Sequence, residues 1–287
     1  MPQPFVCSEL SFYCMFLSFW WQMFNTALRF FPLAIAIFLM GKLLTTQVQR
    51  FRIQRTWPDA KRLKAELRYV LLTQLIFSGV ATLIVLLNRL ELVHVYRYHT
   101  NPEPGYAVLC FVLLAFWHET FFYWTHRAMH HKKLFKHTHA VHHHSVNPSP
   151  FTSQSFHPIE ALFQVGYLPL FLLVLPVPLE VILIESLMTM ILNLYFHSGY
   201  ELAPRGFPSG VLTRWVNTST HHNLHHSRAV GNYALYWNFW DRVCGTNHPD
   251  YERVFEQVVT RRAGVQLPPS SSTEPSPEPS PELRTTT

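Results

Sequence analysis

Charged residues are scarce in this sequence. Only 14% of its 287 residues are Asp, Glu, Lys or Arg, beside 48% hydrophobic and 15% aromatic residues. So little charge argues against a soluble one- or two-domain globule and points to a membrane chain. Cysteine gives no framework either. Cys7, Cys14, Cys110 and Cys244 are scattered without a C-x-x-C pair, which speaks against a disulfide scaffold or a thiolate metal site. The N-terminus lacks a basic segment followed by an apolar core and a small-residue cleavage site, so the chain is expected to insert through its own spans. Several catalytic signatures are missing as well: no G-x-S-x-G elbow, no G-x-G-x-x-G string and no P-loop, while His118-Glu119-Thr120-Phe121-Phe122 lacks the second histidine of H-E-x-x-H. A serine hydrolase, an on-board nicotinamide fold, an ATPase and a zinc peptidase are all disfavoured. The net charge of +6 does not suggest nucleic acid, because the basic residues do not interleave with aromatics on a binding face.

Long apolar runs are present. Tyr69 to Leu87 is nineteen residues without one charge, enough to cross a bilayer core of roughly 30 Å. A crossing before it is expected over Leu28 to Gly41, preceded by an aromatic interfacial segment from Phe12 to Phe24. A third runs from Tyr106 to Trp124, with His118 and Glu119 turned inward because ionisable groups are costly against lipid. From Ala161 to Phe196 two apolar stretches are divided by Pro176 and Pro178, which predicts a helical hairpin. The loop between the first two spans carries Lys42, Arg50, Arg52, Arg55, Lys61, Arg62, Lys64 and Arg68 against Asp59 and Glu66, so it belongs on the cytoplasmic side. Counting crossings from there places Thr125 to Glu160, and everything after His197, on that same face. The tail from Leu267 is almost entirely Pro, Ser, Thr and Glu and is expected to be disordered. The expected organisation is a membrane segment and basic loop over 1–68, a membrane domain with histidine clusters over 69–260, and a tail over 261–287.

Histidine is the abundant residue. Of 18 histidines, 15 lie between His118 and His226. His126 and His130 stand at i and i+4, neighbours on one helical face. His139, His142 and His143 add i, i+3 and i+4, so two imidazoles can converge while the adjacent one reaches a second ion; His222, His225 and His226 repeat that spacing. Nothing in packing rewards repeated H-x-x-H-H at a membrane face, whereas neutral imidazole is a ligand for iron, copper, zinc and nickel. With His197 after the hairpin, nine imidazoles exceed the needs of one four- to six-coordinate ion, and the count implies two metals with positions left for dioxygen or water. His118, His157 and His221 are candidates for further ligands or for supporting roles. Glu119 can orient a bound imidazole, and Asp241 can pair with a histidine or an arginine. His94, His99 and His248 read as ordinary polar residues, and His131, His137 and His144 as outer neighbours.

With these boxes the chain resembles the fatty acid hydroxylase and sterol desaturase superfamily. The likeness extends through Phe122-Tyr123-Trp124-Thr125-His126-Arg127, Phe156-His157-Pro158-Ile159-Glu160, His197-Ser198-Gly199-Tyr200, Asn232-Tyr233, Phe239-Trp240-Asp241 and Gly245-Thr246, in family order. The stretch Asn217 to His226 and that from Phe151 to Gln164 are most similar to the sterol C-5 desaturase group, although Gln154 and Ala234 depart from its pattern.

The resemblance implies an all-α, multi-span membrane protein with a cytoplasmic, histidine-rich di-metal helical cap. It implies two iron ions, dioxygen as co-substrate, and electrons from an external donor, a b-type cytochrome or a ferredoxin. The substrate implied is a membrane lipid, foremost a sterol, and the membrane is endoplasmic reticulum in a eukaryote or the inner membrane in a bacterium. The rival class is a histidine-rich metal transporter or metal-binding membrane protein, which predicts irregular histidine runs and polar residues inside several spans.

Overall fold

The computed structural model describes residues 11–44, 48–54 and 56–263; the Pro/Ser/Thr-rich tail from Leu267 lies outside the described residues. Helices dominate, with one pair of two-residue strands among the described residues. Helix α1 (Phe12–Leu43) starts where the Ser11 hydroxyl accepts the Cys14 amide at 3.3 Å, and it runs for 32 residues. Here the structure differs from the sequence expectation. The segment Phe12 to Phe24 is the first half of this helix rather than a separate interfacial piece, since it contains neither glycine nor proline to interrupt the backbone ladder. Helix α2 (Ala60–Arg89) is capped by Asp59, whose carboxylate accepts the Arg62 amide at 2.7 Å.

The two helices pack antiparallel. Thr26 meets Ser78 at 3.4 Å, while Phe30 and Ala34 share a core with Val70, Phe151 and Leu194. Helix α3 (Pro104–Met129) opens with proline at its first turn, where no amide bond is lost. Helices α6 (Pro158–Leu172) and α7 (Leu179–Phe196) form the hairpin about Pro176 and Pro178. A second core joins Cys110 and Leu114 of α3 to Tyr167 and Phe171 of α6 and Val181 of α7. Strands β1 (Val95–Tyr96) and β2 (Val177–Pro178) pair in parallel, tying the α2–α3 connection to the hairpin turn. That fixes one end of the bundle.

Among the described residues four helices, α1, α2, α3 and α7, are long and apolar enough to cross a membrane. Their outward faces are greasy: Leu71, Val108, Val112, Ile184 and Ile191 are exposed, an arrangement suited to lipid and costly in water. The protein is a helical membrane protein.

At the other end lie α4 (Lys132–Thr138), α5 (Ala140–His143), α8 (Ser219–Arg228), α9 (Phe239–Val243) and α10 (Tyr251–Arg262). Helix α10 presses Tyr251, Phe255 and Val259 onto Leu224 of α8. The last turn of α1 reaches this cap through Gly41, where an added Cβ would sit 2.8 Å from the Trp57 ring and closer still to the Tyr200 hydroxyl. Among the described residues Cys110 and Cys244 are free thiols.

One buried carboxylate fastens the cap to α2. Glu66 accepts the hydroxyls of Ser145 and Ser149, each at 2.6 Å, and of Thr152 at 3.0 Å. Its removal leaves three buried hydroxyls without their acceptor, so Glu66→Ala is expected to destabilise the folded protein by about 2–3 kcal/mol. Thermal unfolding in detergent measures this, and an unchanged midpoint would show that Glu66 is dispensable to the cap.

Candidate metal centre

The histidine boxes come together because four short structural decisions point their rings inward. Helix α3 continues past its apolar run to carry His126, and His130 sits at its C-cap. His139 joins α4 to α5, which carries His142 and His143. His197 caps α7, and α8 presents His222, His225 and His226. The nine rings divide into two groups: His126, His130, His139, His143 and His225 in one, and His142, His197, His222 and His226 in the other. In each, one atom per residue lies within 4.8 Å of all the rest. The i, i+4 pairs His139/His143 and His222/His226 stay together, while His142 and His225 cross to the opposite group.

Hydrogen bonding fixes what these rings offer. Nδ1 of His126 donates to the Tyr233 carbonyl at 2.7 Å, that of His225 to the Gly231 carbonyl at 2.7 Å, and that of His197 to the Asn193 carbonyl at 2.8 Å. Nδ1 of His139 faces the Glu160 carboxylate at 2.7 Å. A carbonyl only accepts, so the proton sits on Nδ1 and Nε2 keeps its lone pair. Nε2 of His126 meets that of His139 at 2.9 Å, Nε2 of His225 meets that of His143 at 2.9 Å, and Nε2 of His197 meets those of His222 and His226 at 2.9 and 3.1 Å, while Nδ1 of His143 and of His226 is buried with no partner. Nε2 of His130 is buried with no hydrogen-bond partner. Neutral ring nitrogens gathered within 4.8 Å of one another form, in each group, a donor set that fits a metal.

Electrostatics agrees. Burial first, and then neighbouring imidazoles, hold His130, His139, His142, His143, His222, His225 and His226 well below the usual imidazole range. Burial lowers His197 to about 4. All are neutral near pH 7, the form that binds metal.

The other candidates sit outside both groups. Glu119 accepts the backbone amides of Leu235, Tyr236 and Trp237 at 2.6–3.2 Å, and so orients a loop rather than an imidazole. Asp241 accepts the amides of Tyr233 and Ala234 at 2.9 Å and the Thr246 hydroxyl at 2.7 Å. Between them the two carboxylates hold the loop whose Tyr233 carbonyl positions His126. His221 contacts Asn247 at 3.1 Å and lies 3.9 Å from Asp241. His157 caps α6 by accepting the Ile159 amide at 3.3 Å. His118 is bound to Glu185 at 2.7 Å and the Tyr236 hydroxyl at 2.8 Å. Sequence reasoning gave Glu160 no role, although it holds His139. The available signal was an acid in the first turn of an otherwise apolar helix.

A cavity of about 570 Å³ opens between the membrane helices next to this cap. Phe156 lines it and packs on His142 with ring centroids 5.2 Å apart, and Asn193, whose carbonyl holds His197, also lines it. An elongated apolar molecule in the bundle would thus end beside the second histidine group.

Residues 111–246 match the fatty acid hydroxylase family. The chain is 30% identical over 145 residues to lathosterol oxidase of Rattus norvegicus, a match covering 50% of this chain and 47% of that protein. It is 28% identical over 167 residues to a Delta(7)-sterol 5(6)-desaturase of Gibberella zeae, covering 58% and 46%. Methylsterol monooxygenase 1 of Rattus norvegicus is 33% identical over 141 residues, covering 48% and 45%. The chain thus spans about half the length of the curated relatives it matches. No solved structure matches it.

Two outcomes are expected. With chelator present, the unfolded chain binds more protons than the folded one between the ordinary histidine value of about 6.5 and the lowered values inside. Stability is then full above that value and falls as pH drops toward about 4, the value of His197. Unfolding midpoints measured from pH 7 to pH 5 should decline, and a flat profile would contradict the buried neutral imidazoles. Glu160→Ala should weaken metal binding by roughly 10–100-fold, read by elemental analysis at limiting metal; full occupancy would remove Glu160 from the centre.

Proposed function

We propose that this chain is a membrane-bound, non-haem di-iron oxidoreductase of the fatty acid hydroxylase and sterol desaturase superfamily, a reading supported by the family match over residues 111–246 and by the sterol-oxidising relatives. It desaturates or hydroxylates a lipid with dioxygen, and a sterol is the favoured substrate. The observation that carries this reading is the convergence of Nε2 lone pairs in two buried groups beside a cavity between membrane helices. In this reading one iron is held among His126, His130, His139, His143 and His225, and the other among His142, His197, His222 and His226. The two irons, when bound, supply dioxygen- and electron-dependent oxidation of an unactivated C–H bond.

The chain's own contribution is positional. Tyr233, Gly231 and Asn193 carbonyls and the Glu160 carboxylate hold protons at Nδ1 and aim Nε2 inward. Burial of the rings keeps bulk water from them, and Phe156 forms a wall between cavity and His142. The favoured substrate rests on relatives named for lathosterol, Delta(7)-sterol and methylsterol chemistry. Lacking a G-x-G-x-x-G string, the chain takes electrons from an external donor, a b-type cytochrome or a ferredoxin. The basic loop after α1 orients the histidine end toward the cytoplasm, in endoplasmic reticulum or a bacterial inner membrane. Transport is not favoured, because the histidines close around two points instead of threading a path.

His142→Ala is expected to abolish turnover while the protein still inserts. The check is elemental analysis of detergent-purified protein, together with mass spectrometry of lipids from cells expressing wild type or variant. About two irons per chain and a wild-type-only loss of two hydrogens or gain of one oxygen are expected. Zinc alone with no lipid change, or full activity in the variant, would overturn the proposal.

A further inference from the structure

The membrane part of the bundle contains polarity that neither the fold nor the metal centre needs. Arg29 of α1 lines the cavity, and its guanidinium bonds only the Asn25 carbonyl at 3.2 Å and the Ser186 hydroxyl of α7 at 3.4 Å, with no carboxylate partner among the described residues. Next to Ser186, Glu185 is wholly buried and accepts from Tyr167 at 2.8 Å and Thr189 at 3.2 Å, and it contacts Nδ1 of His118 at 2.7 Å. His118 is 3% exposed, stacks on Tyr167 with centroids 3.5 Å apart, and lines the same cavity. With Nδ1 committed to Glu185 and Tyr236, its Nε2 has no protein partner among the described residues. Gln74 of α2 is fully buried and also lines the cavity.

These side chains stand at one level. Thr26 faces Ser78 across the antiparallel pair of α1 and α2, so one turn further along α1 and one turn back along α2 bring Arg29 and Gln74 opposite each other. Arg29 touches Ser186, and Glu185 beside it touches His118 and Tyr167. Helices α1, α2, α3, α6 and α7 each contribute to a polar belt around the cavity. His118 precedes His126 by eight residues on α3, so the belt lies roughly 12 Å along the helix from the histidine groups.

We infer that this belt seats an oxygen of the lipid substrate, a hydroxyl that accepts from Arg29 and donates to Nε2 of His118. It thereby favours lipids that carry such an oxygen over hydrocarbons that do not. The inference rests on the oxidoreductase reading above and adds the chemical handle by which its substrate is placed. An unpaired guanidinium in a span is costly facing lipid and is expected to meet a partner within the bundle. Arginine offers donors only and a neutral imidazole nitrogen offers an acceptor, so a hydroxyl satisfies both. A hydrocarbon without oxygen would leave both unmet, and that difference is the source of selectivity.

Binding of tritiated cholesterol to the full-length protein in nanodiscs, competed by unlabelled cholesterol or by 5-cholestene, which lacks only the hydroxyl, tests the belt without turnover. Cholesterol should compete at least about tenfold better than 5-cholestene in wild type, the loss expected for one hydrogen bond to a charged group. Arg29→Gln and His118→Leu should each shrink that advantage several-fold, and Arg29→Lys should retain part of it, all with metal content as in wild type. Absence of saturable cholesterol binding, equal competition by 5-cholestene in wild type, or an undiminished advantage in both loss variants would overturn the belt. If wild type lacks iron and leaves cellular lipids unaltered, the oxidoreductase reading fails separately.

Discussion

Two nitrogen lone pairs cannot face each other at hydrogen-bond distance without a cation between them. The cap of this protein is organised around that constraint. Three imidazoles have their Nδ1 protons directed to the Tyr233, Gly231 and Asn193 carbonyls, so their inward-facing nitrogens are acceptors by necessity, and Glu160 holds Nδ1 of a fourth, His139. The rest of the cap maintains that arrangement. Glu119 and Asp241 grip the loop that carries Tyr233. Gly231, at φ +75°, lies where a Cβ would come within 2.7 Å of the Thr246 carbonyl, so the turn that supplies its own carbonyl to His225 admits no side chain.

Energetically the cap is a collection of buried polar groups that become favourable together. Neutral imidazoles, carboxylates and serines below a few per cent exposure contribute little by packing, and each is costly unless bonded. The aliphatic work is done elsewhere, by the two clusters within the helical bundle and by α10 against α8. The division suits a membrane protein. The apolar helices answer to lipid, and the cap can then be specified almost wholly by polar geometry.

How much of this was legible in the sequence depended on the range of each interaction. The boxes could be read because i, i+3 and i+4 spacing is a local property of one helix, and the spans because a nineteen-residue run without charge from Tyr69 has few other uses. The hairpin followed from Pro176 and Pro178. Partner choice was not legible. Glu119 was expected to orient an imidazole, but it holds amides more than a hundred residues away, a contact that depends on how α3 packs against the cap. Glu160 and Glu185 were given no role, because the histidines they hold, His139 and His118, lie on other elements. The continuity of α1 was missed because aromatic enrichment suggested an interface, while the backbone had no residue that would stop a helix.

The division of neighbouring histidines between the two groups has a further consequence. His142 and His143 are consecutive, as are His225 and His226, yet in each pair one ring belongs to one group and one to the other. Helices α5 and α8 therefore act as shared beams between the sites. An ion in either group would fix the rotation and height of both helices, and so preorganise the ring positions of the other. In a chain that binds metal as proposed, the two sites are therefore coupled, since the helices that hold one ion also place rings around the other.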